Sequence, residues 1–453
     1  MREVRIRDTL SGETRAIEAR EGGEVGMYAC GPTVYSRIHV GNARPFVVFM
    51  LLRRFLAHEG YAPKLAINVT DINDKIYIAA RERGIPSAEH AGEMTRLYTE
   101  DTDRLELGRP DAEPLATESL AEIVELIEAL IERGHAYESG GDVYFRVRSF
   151  PGYGRLSNRD PAEMDQGEEA GTESLKEDPL DFALWKSRKP DEDTGWPSPW
   201  GEGRPGWHIE CSAMAEKELG ANFAIHGGGS DLLFPHHENE IAQTEGGRGE
   251  PLARLWMHNG MILTGPEKMA KSEGNVFVLA EALDRYGPQA VVHFLISGHY
   301  RQPLAFGEYA LELAVARNER VRYFFRGTKR ADGDADPRVA ELREIFLAAL
   351  ADDFNTPRAM AALYDLVSEG NRREPLAGAH AALEEMLGVV GLERLAEADG
   401  EPADPEAARL LGERERARTE RDFASADRIR DELASLGWEV RDTPDGARLV
   451  RRG

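Results

Sequence analysis

The sequence predicts an α/β protein: a doubly wound, parallel-sheet domain with an insertion, followed by a helical bundle and a small α+β C-terminal domain. Three observations carry this expectation. Short apolar runs alternate with amphipathic segments over residues 25–75, the order strand, crossover helix, strand that opens a parallel sheet. The same alternation returns over residues 222–297, after a polar stretch of different character. Beyond Phe306 the pattern is almost wholly helical until a short β pattern at the end. A chain of 453 residues has room for two to four domains. The pattern divides it into residues 1–305, with the insertion at about 115–200, then 306–395 and 405–453.

Each element has a local reason. Residues 25–30 read as a buried strand stopped by Gly31-Pro32, and a helical run over 43–58 is closed by Gly60. Residues 64–69 are the next strand, with Thr70-Asp71 at its carboxyl end and a helix from about Asn73. A unit of this Rossmann type places its ligands beyond the carboxyl ends of the strands. In the insertion, a helix over 118–133 precedes a hairpin over 136–147 turning at Ser139-Gly140-Gly141, then a polar, acidic loop over 161–181. The sheet resumes with a strand at 222–226, a helix at 235–245 and a strand at 254–258, then helices at 279–286 and 289–297. Helices follow at 308–325, 338–351, 357–369, 380–390, 407–416 and 423–436, broken by linker-like runs at 329–336 and 396–404. Two short β runs, 438–441 and 447–450, flank a Pro444-Asp445-Gly446 turn.

Composition bounds the function. Asp and Glu number 81 against 56 Lys and Arg, a formal charge of −25, and only nine of the basic residues are lysines. Such a chain lacks the broad basic field usual in nucleic-acid binders, so composition alone argues against a polyanionic partner. Two cysteines 181 positions apart make no disulfide framework and fit a reducing compartment. The N-terminus lacks a signal-peptide core, and no run approaches about 18 apolar residues. The expectation is a soluble, cytoplasmic protein with no membrane partner.

Two constellations carry chemistry. Cys30 at the end of the first strand, Cys211 at the start of a helix, and the run from His226 to Glu240 offer the soft and borderline donors that zinc takes. With Pro235 starting a helix, His236 and Glu240 share a face at i and i+4, and His237 and Glu238 are the competing choices. The other constellation suits phosphate. His39-Val40-Gly41-Asn42 opens the first helix, where free N–H groups and the helix dipole welcome an anion. Lys268 and Lys271, two of the nine lysines, stand three apart in a loop read as preceding a strand.

In this order the pieces resemble a known family. His39-Val-Gly-Asn42 resembles the HIGH signature, and Lys268-Met-Ala-Lys271-Ser272 the KMSKS signature, of class I aminoacyl-tRNA synthetases. Further runs are similar to the cysteinyl-tRNA synthetases: Cys-Gly-Pro-Thr-Val-Tyr at 30–35, Asn-Val-Thr-Asp-Ile-Asn-Asp-Lys at 68–75, Trp-His-Ile-Glu-Cys at 207–211, His-Tyr-Arg at 299–301 and Asp-Asp-Phe-Asn-Thr-Pro-Arg at 352–358. The resemblance runs from about residue 25 to the C-terminus. Ala270 in place of serine, Asn73 in place of aspartate and Asn42 in place of the second histidine are its departures.

The resemblance implies a zinc ion on Cys30, Cys211, His236 and Glu240, binding a substrate cysteine as thiolate. It implies ATP with Mg²⁺ as co-substrate, held by His39, Gly41, Asn42, Asp231 and Lys271, with His39, Asn42, Lys268 and Lys271 as the catalytic set. Thr70, Trp207 and Asp231 would shape the amino-acid pocket. Arg418, Phe423, Asp427, Trp438 and Asp442 would bind the anticodon of tRNA(Cys), against a plainer reading of Phe423 and Trp438 as core. A monomer is expected. The competing readings are a ligase that activates cysteine but transfers it to a small amine, and a non-catalytic paralogue. With tRNA as partner, the −25 charge is read as adaptation to the salt-rich cytoplasm of a halophile, since the Debye length at 1 M salt is only about 3 Å.

Overall fold

Four parallel strands form the centre of the computed structural model, in the order Ala253–Asn259, Phe223–Gly229, Glu24–Ala29 and Ala62–Ile67. The structure describes residues 2–160, 175–264, 267–268, 277–331, 333–397, 405–419, 422–443 and 446–451. The second strand in sequence lands on one side of Glu24–Ala29 and the third on the other, so the winding reverses between Glu24–Ala29 and Phe223–Gly229. A crevice opens at such a switch point, beyond the carboxyl ends. The two sheet faces follow the period of two. Met27, Ala29, Leu65, Ile67, Ile225, Leu255 and Met257 join the core with helix Val40–His58. Tyr28, Ala66 and Trp256 face the other way and share a core with Phe223 at the strand start and with Met214 and Ile241, from helices Trp207–Leu219 and Glu238–Arg248.

The insertion is a helix, Leu120–Glu132, and an antiparallel sheet of Ala136–Ser139, Asp142–Phe145, Phe182–Ser187 and Gly203–Pro205. Its first hairpin turns at Gly140 and Gly141 with φ of 66° and 89°, the twin positive angles of a type I′ turn. Strands Phe182–Ser187 and Gly203–Pro205 were not anticipated: the Phe-Ala-Leu-Trp run has no alternation to declare its period, and Gly-Arg-Pro carries no strand pattern. Residues 161–174 of the expected acidic loop lie outside the described residues.

One local expectation is corrected. The helix expected from Pro235 begins at Glu238; Phe234 just before is extended (φ −140°, ψ 133°), so the wide turn Leu233–His237 intervenes. After the lysine loop, residues 269–276 lie outside the described residues; from residue 277 the chain makes one antiparallel bridge, Val278 to His39, and then the expected helix Leu279–Tyr286. Ahead of that loop, Ile262–Thr264 pairs with Leu304–Phe306 in a small sheet of its own.

Helices Glu308–Gly327, Pro337–Ala351, Thr356–Arg372 and Ala379–Val389 make the bundle. Its apolar side chains belong to one continuous core with the sheet: Leu363, Leu383 and Leu387 fall in the same buried cluster as Leu51, Met27 and Ile225. The terminal unit, helices Pro405–Thr419 and Phe423–Ser435 with hairpin Trp438–Thr443/Gly446–Arg451, has a separate core of Ala407, Leu410, Ile429 and Leu433. Among the described residues no helix is long and apolar enough to cross a membrane.

Candidate active site

Donor groups from three elements meet at the floor of the crevice. Cys30 follows strand Glu24–Ala29, Cys211 lies in the second turn of Trp207–Leu219, and His236 and Glu240 flank the start of Glu238–Arg248. Ligand atoms of Cys30, Cys211, His236 and Glu240 all lie within 4.8 Å of one another, and all four residues are buried. Glu240 Oε1 is 3.4 Å from Cys30 Sγ and 3.2 Å from His236 Nε2. Of the competing choices, Glu238 is elsewhere: its carboxylate accepts backbone N–H bonds from Gly154, Leu156 and Ser157. His237 does approach, in a second set with Cys30, His226 and Glu240 that meets the same 4.8 Å limit.

The chemistry of this floor calls for a cation. Glu240 is fully buried, and its charge partners among the described residues are three imidazoles, His226, His236 and His237. Burial pushes the pKa of His208, His236 and His258 down to about 3, so the rings are neutral, the form that ligates metal. Burial also raises the Cys30 thiol well above its usual range; at Cys211 the hydrogen bond from Cys30 pulls down, but burial beside Glu240 leaves it raised. A carboxylate buried this deeply is costly without a compensating charge, and a metal ion there would also take the two thiols as thiolates. Two sulfurs, one imidazole and one carboxylate suit zinc.

Over this floor opens a cleft of about 660 Å³, lined by Cys30, Gly31, Tyr35, His39, Gly41, Asn42, Lys75, Trp207, Asp231 and residues 259–262. His39 caps helix Val40–His58 reciprocally with Asn42: His39 Nδ1 accepts from the Asn42 backbone N–H at 3.3 Å, and Asn42 Oδ1 from that of His39 at 3.2 Å. With Nδ1 an acceptor, the neutral ring carries its proton on Nε2. Gly41 is small for a reason, since a Cβ there would stand 2.9 Å from the His39 ring. Gly31 is stricter still, with a Cβ position 1.7 Å from the Asn68 carbonyl oxygen. Trp207, 38 % exposed, sets its ring 4.5 Å from that of His236. Asp231 lies exposed on the cleft wall, whereas Thr70 is buried beneath it, accepting from Asn68 Nδ2 at 3.2 Å.

Family models match along nearly the whole chain: "tRNA synthetases class I (C) catalytic domain" over residues 16–316, "DALR domain" over 345–394 and "Cysteinyl-tRNA ligase anticodon binding domain" over 402–448. Relatives named "Cysteine--tRNA ligase" from Carboxydothermus hydrogenoformans and Rubrobacter xylanophilus are each 45% identical, over 99% of this chain and 100% of their own. The chain belongs to the cysteine–tRNA ligase family. The Mycobacterium tuberculosis methionyl-tRNA synthetase in complex with methionyl-adenylate superposes with a TM-score of 0.61 at 15% identity, covering 89% of this chain and 96% of that one. That likeness supports the class I fold. Neither the small-amine ligase nor the non-catalytic reading is favoured by relatives of this coverage.

Other residues that the family resemblance singles out are placed as follows. Phe423 is 62 % exposed at the first turn of its helix, outside the core. Trp438 instead packs partly buried against the small terminal core, the plainer of its two expected roles. Asp427 is exposed and pairs with Arg430 at 3.1 Å, and Arg418 is exposed. The side chains of Asp442 and Lys268, and the whole of Lys271, lie outside the described residues.

Several residues that brace or line the site were given no role by the sequence reading. Asn68 is wholly buried; its Oδ1 accepts from Gly31 N at 2.9 Å and faces Cys211 Sγ at 3.7 Å, tying the two cysteine-bearing segments together. Lys75 stands at the cleft with its ammonium 5.2 Å from the Tyr35 ring centroid. Arg44, 1 % exposed, donates to the backbone carbonyls of Gly260 at 2.6 Å, Gln302 at 2.8 Å and His299 at 3.0 Å. Asp353, left-handed at φ 58°, accepts from Tyr300 Oη at 2.7 Å and the Arg7 backbone N–H at 2.8 Å, and pairs with Arg301. Two quoted motifs, His-Tyr-Arg and Asp-Asp-Phe-Asn-Thr-Pro, are thus one joint between catalytic sheet and bundle.

Proposed function

We propose that the chain activates L-cysteine with ATP, forming cysteinyl-adenylate and pyrophosphate, and then transfers the cysteinyl group to the 3′-terminal ribose of tRNA(Cys). The observation that carries this reading is the buried Cys30–Cys211–His236–Glu240 floor beneath a cleft whose rim is the His39–Asn42 helix start. Zinc held by those four residues would take up the substrate thiol as thiolate, a bond of about 2.3 Å that the serine hydroxyl does not match, so selection needs no editing site. Trp207 and Asp231 line the cleft, and Asp231 would accept hydrogen bonds from the substrate amine or the ribose. Thr70 acts from below, by holding Asn68 against the Gly31 turn.

At the phosphate end, His39 Nε2–H and the helix N-terminus donate to anionic oxygens, with Gly41 keeping the backbone close and Asn42 holding the imidazole. Lys268 and Lys271 would neutralise charge developing on the phosphates, alongside Mg²⁺ carried in with ATP. The division of labour follows the divisions 1–305, 306–395 and 405–453, the last reading the anticodon through Arg418, Phe423, Asp427 and Asp442, with Trp438 shaping the surface beneath. The enzyme works as a cytoplasmic monomer in this reading.

Cysteine-dependent ATP–pyrophosphate exchange followed by tRNA charging tests the whole. Both are expected; exchange with transfer only to small amines would sink the tRNA step. His39→Ala is expected to lower the exchange kcat by on the order of 10²–10³, the scale for one preorganised donor, with KM for cysteine unchanged. His39→Asn, which restores the cap, separates that loss from a cap cost of about 1 kcal/mol. Phe423→Ala should leave exchange intact but weaken tRNA binding by about 1–3 kcal/mol, read as a raised KM in charging. An unchanged KM would remove Phe423 from the interface.

A further inference from the structure

We propose that Lys75 binds the phosphodiester joining the last two nucleotides of the tRNA, and so serves the transfer step rather than the activation step. The inference rests on the tRNA reading proposed above and deepens it, by naming the residue that receives the second anionic substrate. Lys75 stands in the first turn of helix Asp74–Arg83, which follows strand Ala62–Ile67, and its side chain lines the cleft. Its ammonium sits 5.2 Å from the centroid of the Tyr35 ring, another lining residue, and among the described residues no carboxylate pairs with it.

The topology sets this cation apart from the ATP phosphates. In the strand order Ala253–Asn259, Phe223–Gly229, Glu24–Ala29, Ala62–Ile67, the two edges lie three strand spacings apart, about 14 Å. The lysine loop follows the first of these edges, through Ile262–Thr264, and the chain beyond it returns to His39 at the Val278 bridge. Charge for ATP is therefore gathered between His39 and the Ala253–Asn259 edge. Lys75 comes off the opposite edge. An ammonium there, facing the same cleft, suits a second polyanion that enters from the other side. The tRNA must bring its terminal ribose hydroxyl to the carbonyl carbon of the adenylate. Of all its phosphates, the last internucleotide one is thus carried into the cleft.

The surroundings hold Lys75 at a fixed point and neutralise the other charges near it. Asp74 pairs with Lys186 at 3.4 Å and with Arg204, which fastens the helix start to strands Phe182–Ser187 and Gly203–Pro205 of the insertion. Asn73 caps the helix, its side chain accepting from the Lys75 backbone N–H at 3.1 Å. Arg37, two residues beyond Tyr35, is taken up by Asp101 at 2.9 and 3.0 Å. What remains on this side is one compact ammonium beside an aromatic ring, the pairing that holds a nucleic-acid strand end without a broad basic field. A chain of net charge −25 has no such field to offer.

Single-turnover transfer from enzyme-bound cysteinyl-adenylate to tRNA, set beside pyrophosphate exchange, tests this on the full-length protein. Lys75→Ala should slow transfer about tenfold more than it slows exchange, the scale of one charge-assisted hydrogen bond. Its half-saturating tRNA concentration should depend less steeply on KCl, the log–log slope falling by about 0.7 for one single-strand phosphate contact. Lys75→Arg keeps the charge and should recover most of the loss. With the last internucleotide phosphate replaced by a neutral methylphosphonate, wild type should fall to the rate of Lys75→Ala, and the variant should lose little more. Equal losses in transfer and exchange would move the ammonium to ATP and overturn the proposal. A methylphosphonate penalty as large in Lys75→Ala as in wild type overturns it too. A wild type that exchanges but charges no tRNA would instead defeat the tRNA reading itself.

Discussion

Cys30→Ser is expected to empty the protein of its metal and to collapse its choice of amino acid. Cys30 is one of the four buried donors on the floor and the one of them that lines the cleft. Serine keeps the size but offers a hard, weakly acidic hydroxyl in place of a sulfur that a divalent ion can hold as thiolate. Selection of cysteine over serine, measured as the ratio of kcat/KM in pyrophosphate exchange, should fall by on the order of 10⁴, the scale on which a site built around one polar bond rejects an analogue lacking it. Metal content and exchange with both amino acids, measured on the same folded preparation, check it. A metal-free variant that still discriminates as wild type does would show that selection resides in pocket shape.

Arg44→Ala should cost stability at the junction of residues 260 and 299–302. Its guanidinium fills a site from which three backbone carbonyls, of Gly260, His299 and Gln302, receive their charged donor. Burial lowers its pKa to about 10, still well above neutrality, so the side chain stays cationic at pH 7. Deleting it leaves the Gly260 carbonyl without its buried donor and takes the charged donor from the part-buried carbonyls of Gln302 and His299, the latter still accepting from the Gln302 backbone N–H at 2.9 Å; at about 1–3 kcal/mol for a stranded acceptor, about 2–3 kcal/mol is expected from urea unfolding. Arg44→Lys keeps the charge without the planar fork and should recover only part of that loss. The same change should reduce exchange, because the anchored segment leads through Ile262–Thr264 into Glu267–Lys268. A variant with unaltered unfolding midpoint would refute the role.

The alternation of apolar runs made the parallel sheet legible, since strands buried on both faces read as continuous apolar segments between helical patterns. His39 and Asn42 were legible as a helix start for a local reason: capping depends on residues three apart. What stayed hidden depends on distant pairs. Nothing near Asn68 announces that its amide will brace Gly31, 37 residues away. An arginine such as Arg44 in an Arg-rich chain looks like a solvated charge until the fold closes over it. The four metal donors were named through family resemblance; spacing alone left His237 and Glu238 open, and only the tertiary fold sends Glu238 to the 154–157 backbone.

The apolar core that runs unbroken from sheet to bundle has a thermodynamic consequence. The two share one set of packed side chains, so neither can lose its packing without exposing the other's. In a calorimeter they should melt as one endotherm with matching van't Hoff and calorimetric enthalpies. The terminal unit, whose four-residue centre is its own, contributes a second, smaller event.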